Sequence, residues 1–264
     1  MSAFNTYHDK SIAREEPRVI VDLIGLPGAG KSTVARAATS LLEQQGVGAT
    51  HAENDGAATL DGRRRVGWEA RRFKVASVVG HPALAATCAA FAVGPLGRQY
   101  VPMLLNLCQR DRELRGAKPT GVVLLHESSL HRLCITLACL ERTSAAVVGR
   151  FLAHMTWPDL VVHVKVEPQL AHTRARERMT DLGIDHGVPA IADEAWVRWR
   201  ERYETAADHV LRVMERSRPV LQLDGATSVT TLAVEIARWV RANYETADVT
   251  STPAPTTRSP AARP

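Results

Sequence analysis

The chain has 264 residues, 45% of them hydrophobic, and it can therefore bury the core of one globular domain. Its formal net charge is +5, but the basic residues are scattered rather than clustered, which does not favour a nucleic-acid-binding surface. No apolar run approaches the ~18 residues that a membrane-spanning helix needs, and residues 1–17 lack the apolar stretch of an export signal. We therefore expect neither nucleic-acid binding, nor membrane insertion, nor export.

Residues 1–17 are polar and irregular, and the segment 244–264 becomes rich in Pro, Ser, Thr and Ala toward its end. Neither stretch contains enough apolar residues to pack against a core. The sequence therefore predicts a disordered tail on each side of a single folded domain, residues 18–243.

Five apolar segments, separated by segments of helical length, are predicted as strands: 19–25, 46–53, 122–126, 160–166 and 220–224. The second of them is the weakest. Strands that alternate with helices in this way are typical of a parallel sheet. The pattern predicts an α/β fold in which helices cover both faces of a five-stranded parallel sheet.

Helices are predicted at 31–45, at 168–180 and at 193–217. Pro168 suits a first helical turn, and Asp193 is a candidate N-cap. The long segment 57–118 is interrupted by prolines and is predicted to form two or three helices that cover an acceptor pocket.

The four cysteines form no CxxC pair and lie in apolar, helix-like surroundings: Cys88, Cys108, Cys134 and Cys139. Such positions are typical of buried, reduced thiols. We therefore expect a protein of the reducing cytoplasm.

Residues Gly25–Ser32 match the pattern G-x-x-x-x-G-K-[ST] between a predicted strand and a predicted helix. Glycines let backbone N–H groups turn toward phosphate oxygens, and the helix N-terminus adds about half a positive charge. Lys31 would reach the β- and γ-phosphates, and the Ser32 hydroxyl would bind Mg²⁺. The pattern predicts a three-layer P-loop NTPase fold that binds ATP or a close relative. The expected nucleotide contacts in this region are Gly25, Pro27, Gly28, Ala29, Gly30, Lys31, Ser32 and Thr33.

Beyond this loop, the chain resembles the thymidylate-kinase-like branch of P-loop nucleoside and nucleotide kinases, from about residue 18 to residue 240. The segment Trp157–Pro168 (WPDLVVHVKVEP) looks like the fourth strand of that family and the start of the following helix. The segment from Tyr203 to Asp224 looks like its last long helix and fifth strand. The resemblance implies a kinase that uses ATP and Mg²⁺, with a lid at about 174–190.

The sequence departs from this family after the third strand. Glu127 matches the family's acidic position, but Ser128 stands where the family carries an arginine that helps to hold the acceptor. His131 or Arg132, one helical turn further on, could compensate for that arginine. The departure makes thymidine monophosphate a less suitable acceptor than the resemblance alone implies.

The lid also departs from the family, because residues 179–189 contain no arginine. Arg174 and Arg178 are four residues apart and share one helix face, while Arg176 points elsewhere. The first two could flank the nucleotide, with Arg178 stabilising the charge on the transferred phosphoryl group. An exposed helix in an arginine-rich protein would show the same spacing.

Two carboxylates follow predicted strands and are candidates for the catalytic base. Glu53 follows the second strand and Glu127 the third, and ligands of open α/β sheets bind at the carboxyl ends of the strands. Glu127 is also a candidate Mg²⁺ ligand together with Ser32. A solvent-exposed loop charge is the alternative for Glu53.

These features predict a phosphotransferase that moves the γ-phosphoryl group of ATP to a hydroxyl or phosphate of a small molecule. A nucleoside, a nucleoside monophosphate and a nucleoside-like metabolite all suit the expected pocket. A kinase for specialised metabolites or antibiotics on the same scaffold is one alternative, and an NTP-dependent switch or regulatory ATPase is another. A homodimer is left open.

Overall fold

A computed structural model describes residues 18–52, 76–92, 101–116, 121–126, 128–181 and 193–250. Within these ranges, the chain forms a five-stranded sheet in which every neighbouring pair is parallel. Its strands are β1 Arg18–Ile24, β2 Ala49–Ala52, β3 Gly121–Leu125, β4 Leu160–Lys165 and β5 Val220–Asp224. Their order across the sheet is β2-β3-β1-β4-β5, so that β1 is central.

The central strands are buried on both faces, which explains why the sequence shows them as continuous apolar runs. Val19 and Ile24 delimit a stretch of β1 in which every residue is buried. All five residues of β3 are buried, as are the first five of β4. Parallel strands covered on both faces require such runs, because each successive side chain enters a packed layer.

The helices of the described ranges are α1 Lys31–Gln44, α2 Pro82–Ala92, α3 Val101–Gly116, α4 Ser129–Cys139, α5 Ala145–Leu152, α6 Pro168–Asp181, α7 Asp193–Met214 and α8 Val229–Thr250. Helix α1 packs against α8, whereas α4 packs against α3 and α7, and α5 also packs against α7. The two groups cover the two faces of the sheet. The predicted three-layer α/β fold, that of the P-loop NTPases, is confirmed.

Several predicted boundaries differ from the observed ones. Helix α7 ends at Met214 rather than at residue 217, and α8 extends to Thr250, past residue 243, where we expected the domain to end. The predicted tail therefore begins as helix. Of the segment 57–118, the structure describes 76–92 and 101–116, which include α2 and α3. Residues 1–17 and 251–264 lie outside the described residues.

The expectations about membranes and cysteines have structural counterparts. In the part of the chain that the structure describes, none of the helices combines the length and the apolar character needed to cross a membrane. All four cysteines are free, and three of them are buried.

Candidate nucleotide-binding site

The loop between β1 and α1 requires glycine at specific positions. Gly25, Gly28 and Gly30 have positive φ angles of 148°, 86° and 86°. A Cβ atom at Gly25 would lie 2.4 Å from the carbonyl oxygen of Val164, and one at Gly28 would lie 2.0 Å from that of Ala171. Two of the three glycines are therefore needed both for their backbone conformation and for close packing against β4 and α6.

The first turn of α1 is open to an anion. Gly30 is the N-cap residue and supplies no side-chain acceptor, and the first turn contains no acidic residue. Helix N-termini leave backbone N–H groups without intrahelical partners, and they favour negative charge. Ser32 is half-buried and Thr33 is exposed in this turn. The arrangement suits phosphate oxygens.

Lys31 is held inside the loop. Its side chain is only 7% exposed, and Nζ donates hydrogen bonds to the carbonyl oxygens of Gly25 and Leu26, both at 2.9 Å. A buried ammonium must be paired or hydrogen-bonded, and these carbonyls meet that requirement. To bind phosphate oxygens, Lys31 must exchange these two carbonyls for them.

Tyr203 of α7 contacts the start of the same loop. Its buried hydroxyl accepts the N–H of Gly25 at 3.1 Å and donates to the carbonyl oxygen of Gly25 at 2.8 Å. Nδ1 of His131 lies 2.9 Å from the same hydroxyl. The sequence assigned Tyr203 only to a long helix, because no local pattern signals a contact across 178 positions.

His131 is therefore committed to the loop. It is 3% exposed, and its pKa is well below the usual value because of burial and the nearby Lys31, Arg132 and His126. The role that we expected for it, as a replacement for the missing arginine at the acceptor, does not fit this placement. Arg132, the other candidate, is half-buried.

Asp22, in the middle of β1, is a buried carboxylate that the sequence analysis did not single out. It is 1% exposed, and its Oδ2 accepts a hydrogen bond from the Ser128 hydroxyl. Its Oδ1 has no hydrogen-bond partner among the described residues. A single acidic residue inside an apolar strand was the available signal, because such a residue must find partners or lose its charge.

Ser128 caps α4 instead of facing an acceptor as the family's arginine does. Its hydroxyl accepts the N–H of Leu130 at 3.1 Å while donating to Asp22. A serine at this N-cap satisfies an amide that α4 would otherwise leave without a partner. The residue at position 128 therefore has a structural role in this chain.

Burial raises the pKa of Asp22 to about 7, against the opposing effects of the Ser128 hydrogen bond and the charge of Lys31. The ordinary pKa of this group is 3.8, so the unfolded chain loses the proton at a lower pH than the folded one. Stability from this group is therefore present at low pH and is lost as the pH rises from about 4 to about 7.

We predict that Asp22→Asn removes this pH dependence. Relative to the variant, the wild type should lose about 2 kcal/mol of unfolding free energy between about pH 5 and about pH 7. Urea unfolding at the two pH values measures the difference, with Glu43→Gln, at an exposed position on α1, as the control. Parallel pH profiles for wild type and Asp22→Asn would contradict the assignment.

The carboxyl ends of β2 and β3 lie side by side. Ala52 and Leu125 are register partners, and the next polar side chains inward and outward from them, His51 and His126, are in contact. Nε2 of His51 lies 3.1 Å from Nδ1 of His126, and the rings stack with centroids 5.0 Å apart. The candidate bases Glu53 and Glu127 lie outside the described residues.

The lid prediction concerns α6. Ala171 and Ala175 are the residues whose backbones approach Gly28. Arg174 and Arg178 follow them by three residues each and are exposed, so they lie on the same side of α6 as its contact with the loop. Arg176 is turned away from this side by helical geometry. Residues 182–190 of the predicted lid lie outside the described residues.

A separate cavity of about 690 Å³ lies between α7 and the carboxyl ends of β4 and β5. Five carboxylates line it against two cations, Lys165 and Arg200, and the loop Gly25–Ser32 contributes nothing to its wall. Its charge is unsuited to a triphosphate.

No family model matches the sequence, and neither does any curated protein. Solved structures with a similar backbone include three of the deoxyadenosine kinase from M. mycoides, each 14% identical to this chain and each covered over its full length. The structure with dCTP covers 85% of this chain with a TM-score of 0.46. The structures with the products dCMP and dCDP and with dATP cover 85% and 84%, both with a TM-score of 0.49.

Similarity at this level identifies neither a substrate nor a reaction. The resemblance to the thymidylate-kinase-like branch stays a prediction. The functional conclusions below depend on the geometry of the loop and of the residues around it.

Proposed function

We propose that this protein is a phosphotransferase that uses ATP and Mg²⁺ and transfers the γ-phosphoryl group to a small molecule. The observation that carries the proposal is the loop Gly25–Ser32, in which glycine-enabled turns lead into a helix whose first turn has no acidic residue and no side-chain cap. A buried lysine lies at the same point. Backbone N–H groups, the helix dipole and Lys31 together suit a triphosphate.

The residues of this chain have distinct roles in the proposed reaction. The backbone from Gly25 to Thr33 binds the donor phosphates, and Lys31 balances the charge of the β- and γ-phosphates. Ser32 supplies a hydroxyl for Mg²⁺, with Glu127 as the second candidate ligand. Mg²⁺ commonly takes one or two protein oxygens and completes its shell with phosphate and water, and this donor set fits that habit. When bound, the ion neutralises charge on the transferred phosphoryl group.

The acceptor is proposed to bind near the carboxyl ends of β2 and β3. Strand β3 is the neighbour of β1, so an acceptor at this edge would lie beside the loop that follows β1. Glu53 or Glu127 would position the attacking hydroxyl and accept its proton. Because Ser128 caps α4, an acceptor phosphate would need a cation from elsewhere.

We favour a nucleoside, a nucleoside monophosphate or a nucleoside-like metabolite as the acceptor, and the cytoplasm as the site of action. A kinase for specialised metabolites or antibiotics would use the same donor loop. A switch that hydrolyses ATP without an acceptor is the remaining alternative.

A screen of nucleosides, nucleoside monophosphates and small polyhydroxylated metabolites for ADP release tests the proposal. We expect ADP release that depends on one of these acceptors, and we expect Lys31→Met to reduce it by about 10²-fold or more, because the loop then lacks its only side-chain cation. Lys165→Met, at the end of β4 and away from the loop, is the matched control.

The rival functions give different results in the same assay. ADP release without any acceptor would indicate a switch or regulatory ATPase, and nucleotide binding without ADP release would indicate a scaffold. Full activity of Lys31→Met would contradict the donor site itself.

We also predict that the arginines of α6 differ in their effects. Arg178→Ala should lower kcat by about 10- to 100-fold, because charge on the transferred phosphoryl group loses a donor. Arg174→Ala should act mainly through a higher KM for ATP. Arg176→Ala, on the side turned away from the loop, should stay within about twofold of wild type. Steady-state kinetics with the identified acceptor measure these effects, and equal losses for Arg176→Ala and Arg178→Ala would be incompatible with the proposed lid.

A further inference from the structure

Tyr203 contacts the phosphate loop at the residue that also holds Lys31. The carbonyl oxygen of Gly25 accepts hydrogen bonds from Nζ of Lys31 at 2.9 Å and from the hydroxyl of Tyr203 at 2.8 Å. Gly25 is buried, so water does not replace a lost donor there. The same carbonyl therefore has one donor that must leave during phosphate binding and one that can stay.

The second carbonyl that holds Lys31 also has a second donor. The carbonyl oxygen of Leu26 accepts from Nζ of Lys31 at 2.9 Å and from the N–H of Ala29 at 3.0 Å. When Lys31 moves to phosphate oxygens, neither carbonyl is left without a hydrogen bond. At Leu26 the remaining donor is part of the loop backbone, and at Gly25 it is a side chain from α7.

We propose that Tyr203 is a positioning residue for triphosphate binding, because its hydroxyl keeps the Gly25 carbonyl satisfied when Lys31 leaves it. This inference rests on the proposed function of the loop. Without the hydroxyl, the transfer of Lys31 to phosphate would leave a buried carbonyl unpaired, a cost that falls on the nucleotide-bound state. Tyr203 thereby lowers the barrier to lysine release without touching the nucleotide.

The hydrogen bonds around Tyr203 fix its orientation. A tyrosine hydroxyl has one proton to donate, and Tyr203 gives it to the Gly25 carbonyl. The two remaining contacts must therefore be accepted, one from the N–H of Gly25 and one from Nδ1 of His131. His131 is thus neutral with its proton on Nδ1, and it holds the hydroxyl in the direction that serves the carbonyl.

The test is the affinity for Mg²⁺ and a non-hydrolysable ATP analogue, measured by calorimetry on the full chain. Tyr203→Phe keeps the ring that packs against Trp199 and His131 and removes only the hydroxyl. We expect about tenfold weaker binding. Thr136→Val is the control, because it removes a hydroxyl that is 1% exposed and bonded only within α4, and it should stay within about twofold of wild type.

Lysine dependence separates positioning from a general structural effect. In a Lys31→Met background no ammonium leaves the carbonyl, so the added Tyr203→Phe change should alter the affinity by less than about twofold. The same tenfold loss in both backgrounds would overturn the inference, as would wild-type affinity in Tyr203→Phe. Failure of the wild type to bind the analogue would instead refute the proposed function.

A second variant covers the case in which Tyr203→Phe does not fold. His131→Leu leaves the tyrosine in place but removes the donor that orients it, and we expect about threefold weaker binding that again depends on Lys31. Unchanged affinity, or a loss independent of Lys31, would overturn the inference by this route.

Discussion

The buried ammonium of Lys31 is the constraint around which the site is organised. A cation that is 7% exposed needs acceptors, and the loop supplies two of its own carbonyls. Those carbonyls are available because the backbone turns through glycine conformations at Gly25 and Gly28. The turns in turn require close packing of β4 and α6 against the loop, since a side chain at either glycine would collide with their backbones.

The charge of Lys31 also affects the groups beneath the loop. It lowers the pKa of His131 and opposes the rise in the pKa of Asp22. Both side chains, and Tyr203, lie between β1 and the layer formed by α4 and α7. This polar layer lets the long helix α7, which follows the proposed lid in the chain, reach the first residue of the phosphate loop.

The fold was predictable because its strands are short apolar runs buried on both faces and its loop has a distinctive pattern. Glycines, lysine and serine at fixed spacing between a strand and a helix identify the donor side without a structure. The acceptor side was less predictable. Its candidate residues Glu53 and Glu127 follow strands whose order, β2 beside β3 beside β1, depends on pairings between distant segments.

The contacts beneath the loop could not be predicted for the same reason. Tyr203 meets Gly25 across 178 positions, and Ser128 meets Asp22 across 106. The resemblance to a kinase family drew attention to the arginine that Ser128 replaces, but only the structure gives Ser128 its role as a cap. His131 was considered for the acceptor because of its position in sequence, whereas its ring is buried against Tyr203.

A crystal structure with Mg²⁺ and a non-hydrolysable ATP analogue would test the central claim most directly. The account predicts the triphosphate in the loop Gly25–Ser32, with Nζ of Lys31 about 3 Å from a β- or γ-phosphate oxygen. The Gly25 carbonyl should then be held by Tyr203 alone. A triphosphate bound elsewhere, or one bound in the loop while Lys31 still contacts both carbonyls, would contradict the account.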